Sequence, residues 1–549
     1  MNKVSVLIIG AGPAGLAAAI SLKKARPELE VCVLDKAAEP GNHNLSGAVL
    51  EPGPIHQLLD LAAPNWRESD QAKQVLARKV EQDDVLYLLN ARKSLRVNPM
   101  IKMGKFLHLS FGNMDHHGDY IVSISRLTRW LAELAQQAGV ELYMGFSVAE
   151  LVLTEGKVRG VKLADQGLDR EGKPQPNYLP GEEIHADMIV LAEGCDGLIT
   201  EKFVAAAGLT RQAHQLFSVG IKEVMQVTPE QYQAFGNNRV VHAMGWPIWV
   251  PFAGPNIFGG GIMYSYGENQ IAVGMIVGAD WQYTDFNPQE ALVRFKEHPF
   301  VRQYIDGAKP VAAGAKMIPE GGWLAVPRHP AGRTIGHENV VIMGDAAGFV
   351  NMTKIKGLHN AIASGLLAAQ AAAQSLAKPQ EFAQVYTNLV EESPLADEMM
   401  KAENFRQTVA KLGPTIGFPL SALAGVMPLF KIEPDYKHMK SHAHYPNKLE
   451  RPFDKDSFTA LAATHHREEQ PCHCTIIDPK ICENECAALY GQPCLSFCPA
   501  GVYERIQDRL KAANPSNCLH CKTCQRKCPC NNLRWNVPEG AGGPKYKIM

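Results

Sequence analysis

The chain has 549 residues, which is too long for one hydrophobic core and predicts several domains. Apolar residues make up 46% and charged residues 20% of the sequence, as in ordinary globular proteins. The formal net charge of −1 excludes a protein that attracts nucleic acid through bulk positive charge, so no nucleic-acid partner is expected.

The thirteen cysteines are unevenly distributed, because eleven of them crowd into residues 472–530. The N-terminus runs directly into an apolar strand, without the basic region, long apolar region and cleavage site of an export signal. Disulfides are typical of small exported domains, whereas clustered cysteines in a reducing compartment are metal ligands by default. We therefore expect a cytoplasmic protein with a metal-binding C-terminal region.

The sequence begins with a pattern typical of a nucleotide-binding fold. Val4–Gly10 is a short apolar run of the buried-strand type, Ala14–Lys24 predicts a helix and Val31–Leu34 predicts a second strand. This order predicts a βαβ unit with a parallel sheet.

Three glycines, Gly10, Gly12 and Gly15, lie where the first strand meets the helix, and Asp35 ends the second strand. Gly10 permits the tight turn, Gly12 lets the backbone approach a pyrophosphate and Gly15 allows the helix to pack closely on the strand. The helix N-terminus offers N–H groups and a positive dipole to the phosphates, and Asp35 would accept hydrogen bonds from a ribose. These features together predict dinucleotide binding.

The elements after this unit are predicted in outline. Strands are expected at 160–163 and 188–191, with a polar hairpin loop at 166–183 between them. Residues 205–335 read as mainly strands and form a second layer. Asn339–Met343 predicts another parallel strand, Leu358–Leu376 an Ala-rich helix, and 440–470 a linker.

Two further motifs favour FAD over NAD. Val340–Gly348 resembles the second FAD motif of the glutathione-reductase-like flavoproteins, in which a strand-end Gly-Asp pair, here Gly344 and Asp345, contacts the ribityl chain. Leu191–Gly197, which contains Gly194, resembles the middle motif of the same superfamily. Taken alone, Asp345 could cap the following helix and Asp196-Gly197 could form an ordinary turn. The Rossmann fold does not choose among hydroxylase, reductase and electron-transfer dehydrogenase.

No segment predicts a clean membrane-spanning helix, although residues 240–267, 357–377 and 412–430 lack charged side chains over nearly the required length. The segment 412–430 is the most membrane-like of the three, but its three prolines would interrupt a helix. Three lysines follow it by residue 440. This pattern favours an element that lies on a membrane surface, and a buried loop with a short helix is the alternative.

The C-terminal cysteines include the C-x2-C-x2-C-x3-C-P run of bacterial ferredoxins. The short spacing lets three thiolates converge on one cluster, and a remote cysteine followed by proline completes the set. We expect a [4Fe–4S] cluster held by Cys498, Cys518, Cys521 and Cys524. The alternative is a zinc site, because four-cysteine zinc centres use related spacings.

The remaining cysteines resemble a stretched first half of a two-cluster ferredoxin, in which each Cys-Pro cysteine serves the cluster of the other half. A second cluster would then be held by Cys482, Cys486, Cys494 and Cys528. The alternative is that these are buried structural thiols. Cys472, Cys474 and Cys530 receive no role.

Several stretches resemble one family, the electron transfer flavoprotein–quinone oxidoreductases, over nearly the whole chain. The stretches are GNHNLSGAVLE at 41–51, FGGGIMY at 258–264, GDAAGFVNMTKIKGLH at 344–359, CPAGVYER at 498–505, NCLHCKTC at 517–524 and VPEGAGGP at 537–544. The chain departs from the family in Cys528, in the cysteines at 482–494 and in the proline-broken segment 412–430.

The resemblance implies an electron-transferring-flavoprotein dehydrogenase with one FAD, one [4Fe–4S] cluster and a quinone pocket. Such an enzyme takes electrons from reduced electron transfer flavoprotein and passes them to membrane ubiquinone or menaquinone. It implies peripheral or monotopic attachment to the cytoplasmic face of the cell membrane. Gly259 and Gly260 would contact the quinone, since bare backbone lets a flat ring approach; a β-bulge is the alternative. Further implied cofactor contacts are Pro13, Ala14, Lys36, Ser46, Gly47, Arg126, Gly348 and Asn351.

The expected fold class is α/β: a glutathione-reductase-like FAD-binding Rossmann fold, a β-rich quinone-binding domain and a C-terminal ferredoxin-like iron–sulfur domain. The expected ranges are 1–205 and 335–400 for the FAD domain, 206–334 for the quinone domain, 401–470 for a membrane-surface segment and linker, and 471–549 for the cluster domain.

Two other functions fit the same motifs. One is an FAD-dependent monooxygenase or prenyl reductase with a fused ferredoxin domain, and the other is a scaffold with a four-cysteine zinc site. Lys522, Arg526, Lys527 and Arg534 would either steer an acidic partner or form a solvated face.

Overall fold

The computed structural model describes residues 3–47, 49–107, 109, 113–422 and 429–549. The strands are β1 (Lys3–Ile9), β2 (Val31–Asp35), β3 (Val49–Leu50), β4 (Gln82–Leu88), β5 (Ser94–Arg96), β6 (Tyr120–Ile121), β7 (Glu141–Met144), β8 (Val148–Thr154), β9 (Lys157–Leu163), β10 (Gln166–Leu168), β11 (Pro174–Leu179), β12 (Glu183–Leu191), β13 (Phe217–Gln226), β14 (Arg239–Gly245), β15 (Gly259–Gly267), β16 (Gln270–Gly278), β17 (Lys309–Pro319), β18 (Gly336–His337), β19 (Val340–Ile342), β20 (Cys474–Ile476), β21 (Tyr503–Ile506), β22 (Arg509–Ala512) and β23 (Leu533–Trp535).

The helices are α1 (Pro13–Ala25), α2 (Pro52–Ala62), α3 (Asp70–Val75), α4 (Asn98–Phe106), α5 (Ile124–Gln137), α6 (Leu198–Ala206), α7 (Pro229–Phe235), α8 (Pro288–Glu297), α9 (Pro299–Ile305), α10 (Leu358–Gln374), α11 (Phe382–Glu391), α12 (Pro394–Lys401), α13 (Phe405–Ser421), α14 (Lys455–Leu461), α15 (Pro479–Ile481), α16 (Ala487–Tyr490), α17 (Cys494–Phe497) and α18 (Thr523–Lys527).

The first sheet has eight strands and forms the nucleotide-binding layer. Its main order is β18-β19-β12-β1-β2-β7, with the β8–β9 hairpin paired to β12. The central strand β1 pairs in parallel on both sides: Ile8 lies beside Val190 of β12 and Val33 of β2. The predicted βαβ opening and the Rossmann-type fold class are therefore confirmed.

The helix α10 is Ala-rich because it packs very closely against α1. A Cβ atom placed on Gly365 of α10 would lie 2.3 Å from the carbonyl oxygen of Ala14. Larger side chains along this face would push the two helices apart. The pair covers the sheet and holds the N-terminus of α1 at the carboxyl ends of β1 and β2.

The second sheet has seven strands in the order β17-β13-β16-β15-β14-β4-β5. Its strands are antiparallel except for β14 and β4, which pair in parallel from Arg239 beside Gln82 to Gly245 beside Leu88. The strands β4 and β5 come from residues 82–96, which lie outside the range 206–334 expected for this domain. The domain ranges themselves stay a prediction.

The C-terminal region contains two small two-stranded sheets, each made from one strand before and one strand after the middle of the region. The outer strands β20 and β23 pair with each other, and the inner strands β21 and β22 form a hairpin. The cysteines lie in the connections, and most of them are buried.

The stretch 440–470 is packed, and its description as a linker is corrected. Tyr445 is buried and donates a hydrogen bond to the carbonyl oxygen of Pro247 at 2.8 Å. The helix α14 in the same stretch packs against β17. These contacts arise because the segment buries aromatic side chains that a count of its polar residues overlooks.

The segment 412–430 is described only in part, because residues 423–428 lie outside the described residues. The helix α13 is kinked at Gly413, whose φ of 72° is non-helical and which precedes Pro414. The predicted interruption is confirmed at Gly413 and Pro414, whereas the helix continues through Pro419 to Ser421. The third proline, Pro428, lies outside the described residues. Among the described helices, none is long and apolar enough to cross a membrane.

Candidate functional site

A deep cavity of about 280 Å³ opens where the carboxyl ends of β1 and β2 meet the N-terminus of α1. This edge of a parallel sheet is the general position of ligand sites in doubly wound folds. The second sheet closes the cavity from the other side, with Ile262, Met275 and Met317 in its lining. The cavity therefore lies between the two sheets.

The three N-terminal glycines have different structural roles. Gly10 has a φ of 111°, and a Cβ atom there would lie 2.2 Å from the carbonyl oxygen of Ala192; at Gly15 it would lie 1.9 Å from the carbonyl oxygen of Gly10. Both positions therefore need glycine for the fold. At Gly12, the nearest described atom to an added Cβ is Nδ2 of Asn44 at 3.9 Å. Gly12 faces the cavity, so its bare backbone leaves room for a ligand.

Asp35 links the turn to the end of β2. Its Oδ2 accepts a hydrogen bond from the N–H of Ala11 and its Oδ1 from the N–H of Ala37, both at 2.8 Å. The carboxylate is fixed by these bonds and lines the cavity. It keeps free acceptor capacity toward a ribose hydroxyl, because each carboxylate oxygen has two lone pairs.

The predicted cofactor residues divide into two groups. Those that line the cavity are Gly10, Gly12, Pro13, Ala14, Asp35, Lys36, Ser46, Gly47, Gly194 and Asp345. The other five, Gly15, Arg126, Gly344, Gly348 and Asn351, lie outside this lining. The side chain of Asn351 is engaged elsewhere, since its Oδ1 accepts from Thr353 and its Nδ2 donates to Glu398. A direct cofactor contact by these five stays a prediction.

The residues present fit FAD. A helix N-terminus with a bare Gly12 suits a pyrophosphate, and Asp35 suits a ribose. At the far end Asp345 lines the cavity, and burial raises its pKa.

Two lysines line the cavity, and the sequence analysis missed both: Lys222 is buried and Lys316 is half-buried. Lys222 donates from Nζ to Ser46 Oγ at 2.9 Å and to the hydroxyl of Tyr264 at 3.1 Å. Burial lowers the pKa of Lys222 to about 7 and that of Lys316 to about 8. The available signal was a lysine inside each of the apolar strands FSVGIKEVMQ and KPVAAGAKMIP.

Asp196 in the middle motif anchors the cluster domain. It has a φ of 54°, and its carboxylate pairs with the guanidinium of Arg526 and accepts from Gln525 Nε2 at 3.2 Å. Lys522 donates to the carbonyl oxygen of the same residue. The turn at Asp196 therefore joins the Rossmann layer to the cysteine-rich region, a contact that neither sequence interpretation of this turn included.

The four cysteines predicted for the main cluster, Cys498, Cys518, Cys521 and Cys524, are all buried. Burial raises the pKa of Cys521 to about 12, and the charges of Cys498 and Cys518 add to the rise. Burial also raises the pKa of Cys524, and the charges of the other three cysteines add to the rise. The helix α17, which ends at Cys498, packs against α18, which contains Cys524. Four cysteine thiols are a donor set that suits zinc or an iron–sulfur cluster, and their shared ligation of one centre stays a prediction.

This cysteine group lies directly against the cavity. Lys522, the residue after Cys521, lines the cavity together with Trp535. On the same wall His43 lines the cavity and its ring centroid lies 5.0 Å from that of His520, which falls between Cys518 and Cys521. A single layer of side chains thus separates the two sites.

The predicted quinone residues, Gly259 and Gly260, lie at the start of β15. A Cβ atom would meet the carbonyl oxygen of Ile276 at 2.0 Å from Gly259 and that of Ala243 at 2.3 Å from Gly260. The pairing with β16 is regular at both residues, and its irregularity lies further along, between Ser265 and Gly267. Tight strand pairing explains both glycines, and the quinone contact stays a prediction.

The interpretation of the C-terminal basic residues as a partner-steering or solvated face is wrong for three of the four. Lys522 and Lys527 are buried, and Arg526 is paired with Asp196. Lys527 donates from Nζ to the carbonyl oxygens of Trp281 and Asp435, the latter at 3.1 Å. The two lysines satisfy internal carbonyl groups and Arg526 satisfies a buried carboxylate, a role that a charge count cannot reveal.

Comparisons with known proteins match three separate parts of the chain to family profiles. Residues 450–547 match the family profile described as "Electron transfer flavoprotein-ubiquinone oxidoreductase, 4Fe-4S", and residues 217–318 match "ETF-QO, ubiquinone-binding". Residues 8–78 match a NAD(P)-binding Rossmann-like domain.

Relatives resemble the chain along its whole length. An electron transfer flavoprotein-ubiquinone oxidoreductase of Pseudomonas aeruginosa is 36% identical, and the alignment covers 99% of this chain and 98% of that protein. The mitochondrial protein of the same name from Oryza sativa is 34% identical over 99% of this chain and 92% of its own length. The one from Rattus norvegicus is 33% identical over 100% and 89%.

Solved structures resemble the fold at low identity. A geranylgeranyl bacteriochlorophyll reductase-like protein from Thermoplasma acidophilum has a TM-score of 0.55 at 19% identity, covering 79% of this chain and 94% of that one. A flavin-dependent brominase has a TM-score of 0.51 at 14% identity, covering 77% and 94%. These likenesses show the flavoprotein fold alone.

Proposed function

The chain belongs to the electron transfer flavoprotein-ubiquinone oxidoreductase family, and from this premise we propose that it oxidises reduced electron transfer flavoprotein and reduces a membrane quinone. Two electrons leave the flavoprotein donor, and the quinone takes up two electrons and two protons to become a quinol. The acceptor is ubiquinone or menaquinone.

The observation that carries this proposal is the shared wall between the cysteine group and the cavity. Lys522 follows Cys521 in the chain and lines the cavity that contains Gly12 and Asp35. Electron transfer requires no covalent chemistry, but it requires that the redox centres lie close together. The protein must therefore hold the cluster site next to the flavin cavity. When bound, FAD exchanges one or two electrons and a [4Fe–4S] cluster exchanges one.

The chain's own residues position the groups and exclude water. Gly12 and the N-terminus of α1 would hold the pyrophosphate, Asp35 the ribose and Asp345 the ribityl chain. Cys498, Cys518, Cys521 and Cys524 would hold the cluster. Lys222 can hold or release a proton at Nζ near neutral pH, because burial lowers its pKa to about 7.

The acceptor is expected to approach from the second sheet. This sheet contains the residues that match the ubiquinone-binding profile, and Ile262 and Met275 from it line the cavity. Gly259 and Gly260, at the start of the same strand as Ile262, are the proposed quinone contacts.

An exposed apolar face supports docking on a membrane surface, and the cytoplasmic face of the cell membrane is the proposed side. Phe106 at the end of α4 is 82% exposed, and Phe252 in the loop after β14 is 95% exposed. The two emerge at one end of the second sheet, because α4 packs near Met244 at the end of β14. The side chain of Ile416 on α13 is also exposed. This helix lies against the loop after β14, because its Phe418 stacks on Trp249 of that loop. Large exposed apolar side chains next to lysines are typical of interfacial segments.

The proposed reaction is tested by anaerobic steady-state assay with reduced electron transfer flavoprotein and a short-chain ubiquinone. We expect quinol formation that is lost in Cys521→Ser and retained in Cys472→Ser, whose thiol is exposed. Oxygen consumption coupled to substrate hydroxylation, or reduction of a prenyl double bond without quinol formation, would favour the monooxygenase or prenyl-reductase function instead.

Membrane docking is tested by co-sedimentation with vesicles of phosphatidylcholine and phosphatidylglycerol. We expect the double variant Phe106→Asp/Phe252→Asp to leave the vesicles. The matched control is Leu179→Asp, because Leu179 is 62% exposed and lies on the β10–β11 hairpin away from this face. Equal vesicle binding by all three proteins would contradict the docking face.

A further inference from the structure

We infer that the C-terminal domain holds a second [4Fe–4S] cluster, ligated by Cys482, Cys486, Cys494 and Cys528. The matched domain profile describes a 4Fe-4S domain and assigns no cluster to these residues. The inference goes beyond the proposed quinone reductase function and does not depend on it.

The four thiols converge from separate segments. Cys482 and Cys486 begin and end a single π-helical turn, Cys494 begins α17, and Cys528 follows α18. All four are at most 4% exposed. Buried thiols with a purely structural role need not lie near one another. Four buried thiols from three segments that lie in one place are better explained as ligands of one metal centre.

Gln492 holds the first three of these cysteines together. Its N–H donates to the carbonyl oxygen of Cys486 at 3.4 Å, and its Nε2 donates to the carbonyl oxygen of Cys482 at 2.9 Å. Its own carbonyl oxygen lies 3.9 Å from Cys494 Sγ. One buried glutamine therefore contacts three of the four proposed ligands.

The two halves of the cysteine-rich region have the same backbone conformation at corresponding positions. Cys498 and Cys528 each end a short helix, with φ and ψ of −66° and 117° at Cys498 and −61° and 112° at Cys528. The residue two positions before the third cysteine is left-handed in both halves: φ is 59° at Gln492 and 58° at Lys522. The pairing of β20 with β23 and of β21 with β22 relates the halves in the same way.

Hydrogen-bond donors point at the sulfurs of the second group. Asn532 donates from its backbone N–H to Cys528 Sγ and from Nδ2 to Cys482 Sγ, both at 3.2 Å. N–H groups directed at sulfur are a usual feature of iron–sulfur sites, where they tune the cluster. One buried asparagine thus bridges two proposed ligands from opposite halves of the domain.

The halves exchange ligands in the pattern of two-cluster ferredoxins. Cys498 of the first half completes the group Cys518, Cys521 and Cys524, and Cys528 of the second half completes the group Cys482, Cys486 and Cys494. The longer spacing before Cys494 is taken up by α16 and by Gly491, whose φ is 65°. The stretched spacing therefore does not separate the thiols.

The test is the iron and acid-labile sulfide content of the full-length protein, purified anaerobically and reconstituted with ferrous iron and sulfide. Two clusters predict about eight irons per chain, and one predicts about four. After reduction with dithionite, two clusters so close together also predict a spin-coupled electron paramagnetic resonance spectrum. Iron near four, a magnetically isolated signal, or stoichiometric zinc in place of the extra iron would overturn the inference.

Variants assign the irons to their ligands. Cys528→Ser should lose about half of the iron and leave an isolated signal, while Cys521→Ser should lose the complementary half. Cys472→Ser is the matched control and should keep all of the iron. Equal iron in Cys528→Ser and in the unaltered protein would overturn the assignment, and if Cys528→Ser fails to fold, the iron count and spectrum of the unaltered protein decide. These readouts do not involve the donor flavoprotein or quinone, so they are separate from the test of the proposed function.

Discussion

Substituting Gly12 by alanine should separate cofactor binding from folding. Gly12 has φ of −78° and ψ of 178°, which any L-residue adopts, and the nearest described atom to the new methyl group is 3.9 Å away. The alanine removes backbone freedom from the unfolded chain, which stabilises the folded protein by about 0.4–1 kcal/mol. Alanine is also a poorer helix N-cap than glycine, which destabilises the folded protein by a similar amount. The flavin-free variant should therefore unfold within a few degrees of the unaltered protein.

The affinity for FAD should fall instead, because the new methyl group occupies the space through which the pyrophosphate approaches the backbone. Losing one charge-assisted hydrogen bond from the helix N-terminus costs about 1.5–3 kcal/mol, which corresponds to roughly a 10- to 100-fold weaker affinity. The assay is titration of flavin-free protein with FAD, followed by fluorescence, together with its melting temperature. Gly10→Ala is the contrasting variant, since its methyl group would lie 2.2 Å from a carbonyl oxygen and should prevent folding. Unchanged FAD affinity in Gly12→Ala would refute the reasoning.

Two further predictions concern buried charges. The pKa of Lys222 is lowered from 10.5 to about 7, so between these pH values the unfolded chain binds a proton that the folded chain does not, and stability rises with pH by about 1.4 kcal/mol per unit. Flavin-free Lys222→Met, which lacks this group, should melt above the unaltered protein at pH 7.5, and the difference should shrink toward pH 9.5; a constant difference would contradict the burial of a titrating lysine. Arg526→Met should destabilise the protein by about 3 kcal/mol, because the Asp196 carboxylate, 1% exposed, loses its charged partner. Adding Asp196→Asn should restore part of the melting temperature, and no restoration would contradict a direct pairing.

Local sequence patterns predicted the elements that depend on neighbours in the chain. The strand–glycine–helix pattern placed Gly10 and Gly12 correctly, because turn geometry and helix start are set within a few residues. The spacing of Cys518, Cys521 and Cys524 likewise predicted a compact segment, and all three thiols are buried there, while their shared cluster with Cys498 stays a prediction. In both cases the chemistry is encoded in short spacings.

Contacts between distant segments were not predictable from such patterns. The strand β4 joins the second sheet by pairing with β14, more than 140 residues later, and β5 in turn pairs with β4. No local signal marks β14 as the partner. Lys222 and Lys527 look like surface residues in sequence but are buried, because hydrogen-bond acceptors from remote segments surround them. Tyr445 in the presumed linker is buried for the same reason.

The central claim is that the cysteine group and the flavin cavity act together between electron transfer flavoprotein and quinone. The most direct measurement is anaerobic rapid mixing of the protein with reduced electron transfer flavoprotein and ubiquinone, followed by absorption of the flavin and formation of quinol. We predict quinol formation at a stoichiometry of one per two electrons in the unaltered protein. In Cys521→Ser, which should keep its FAD, transfer from the donor should fall by at least about tenfold, the loss expected when one relay is removed. Undiminished quinol formation in a Cys521→Ser protein that lacks the main cluster would contradict the account.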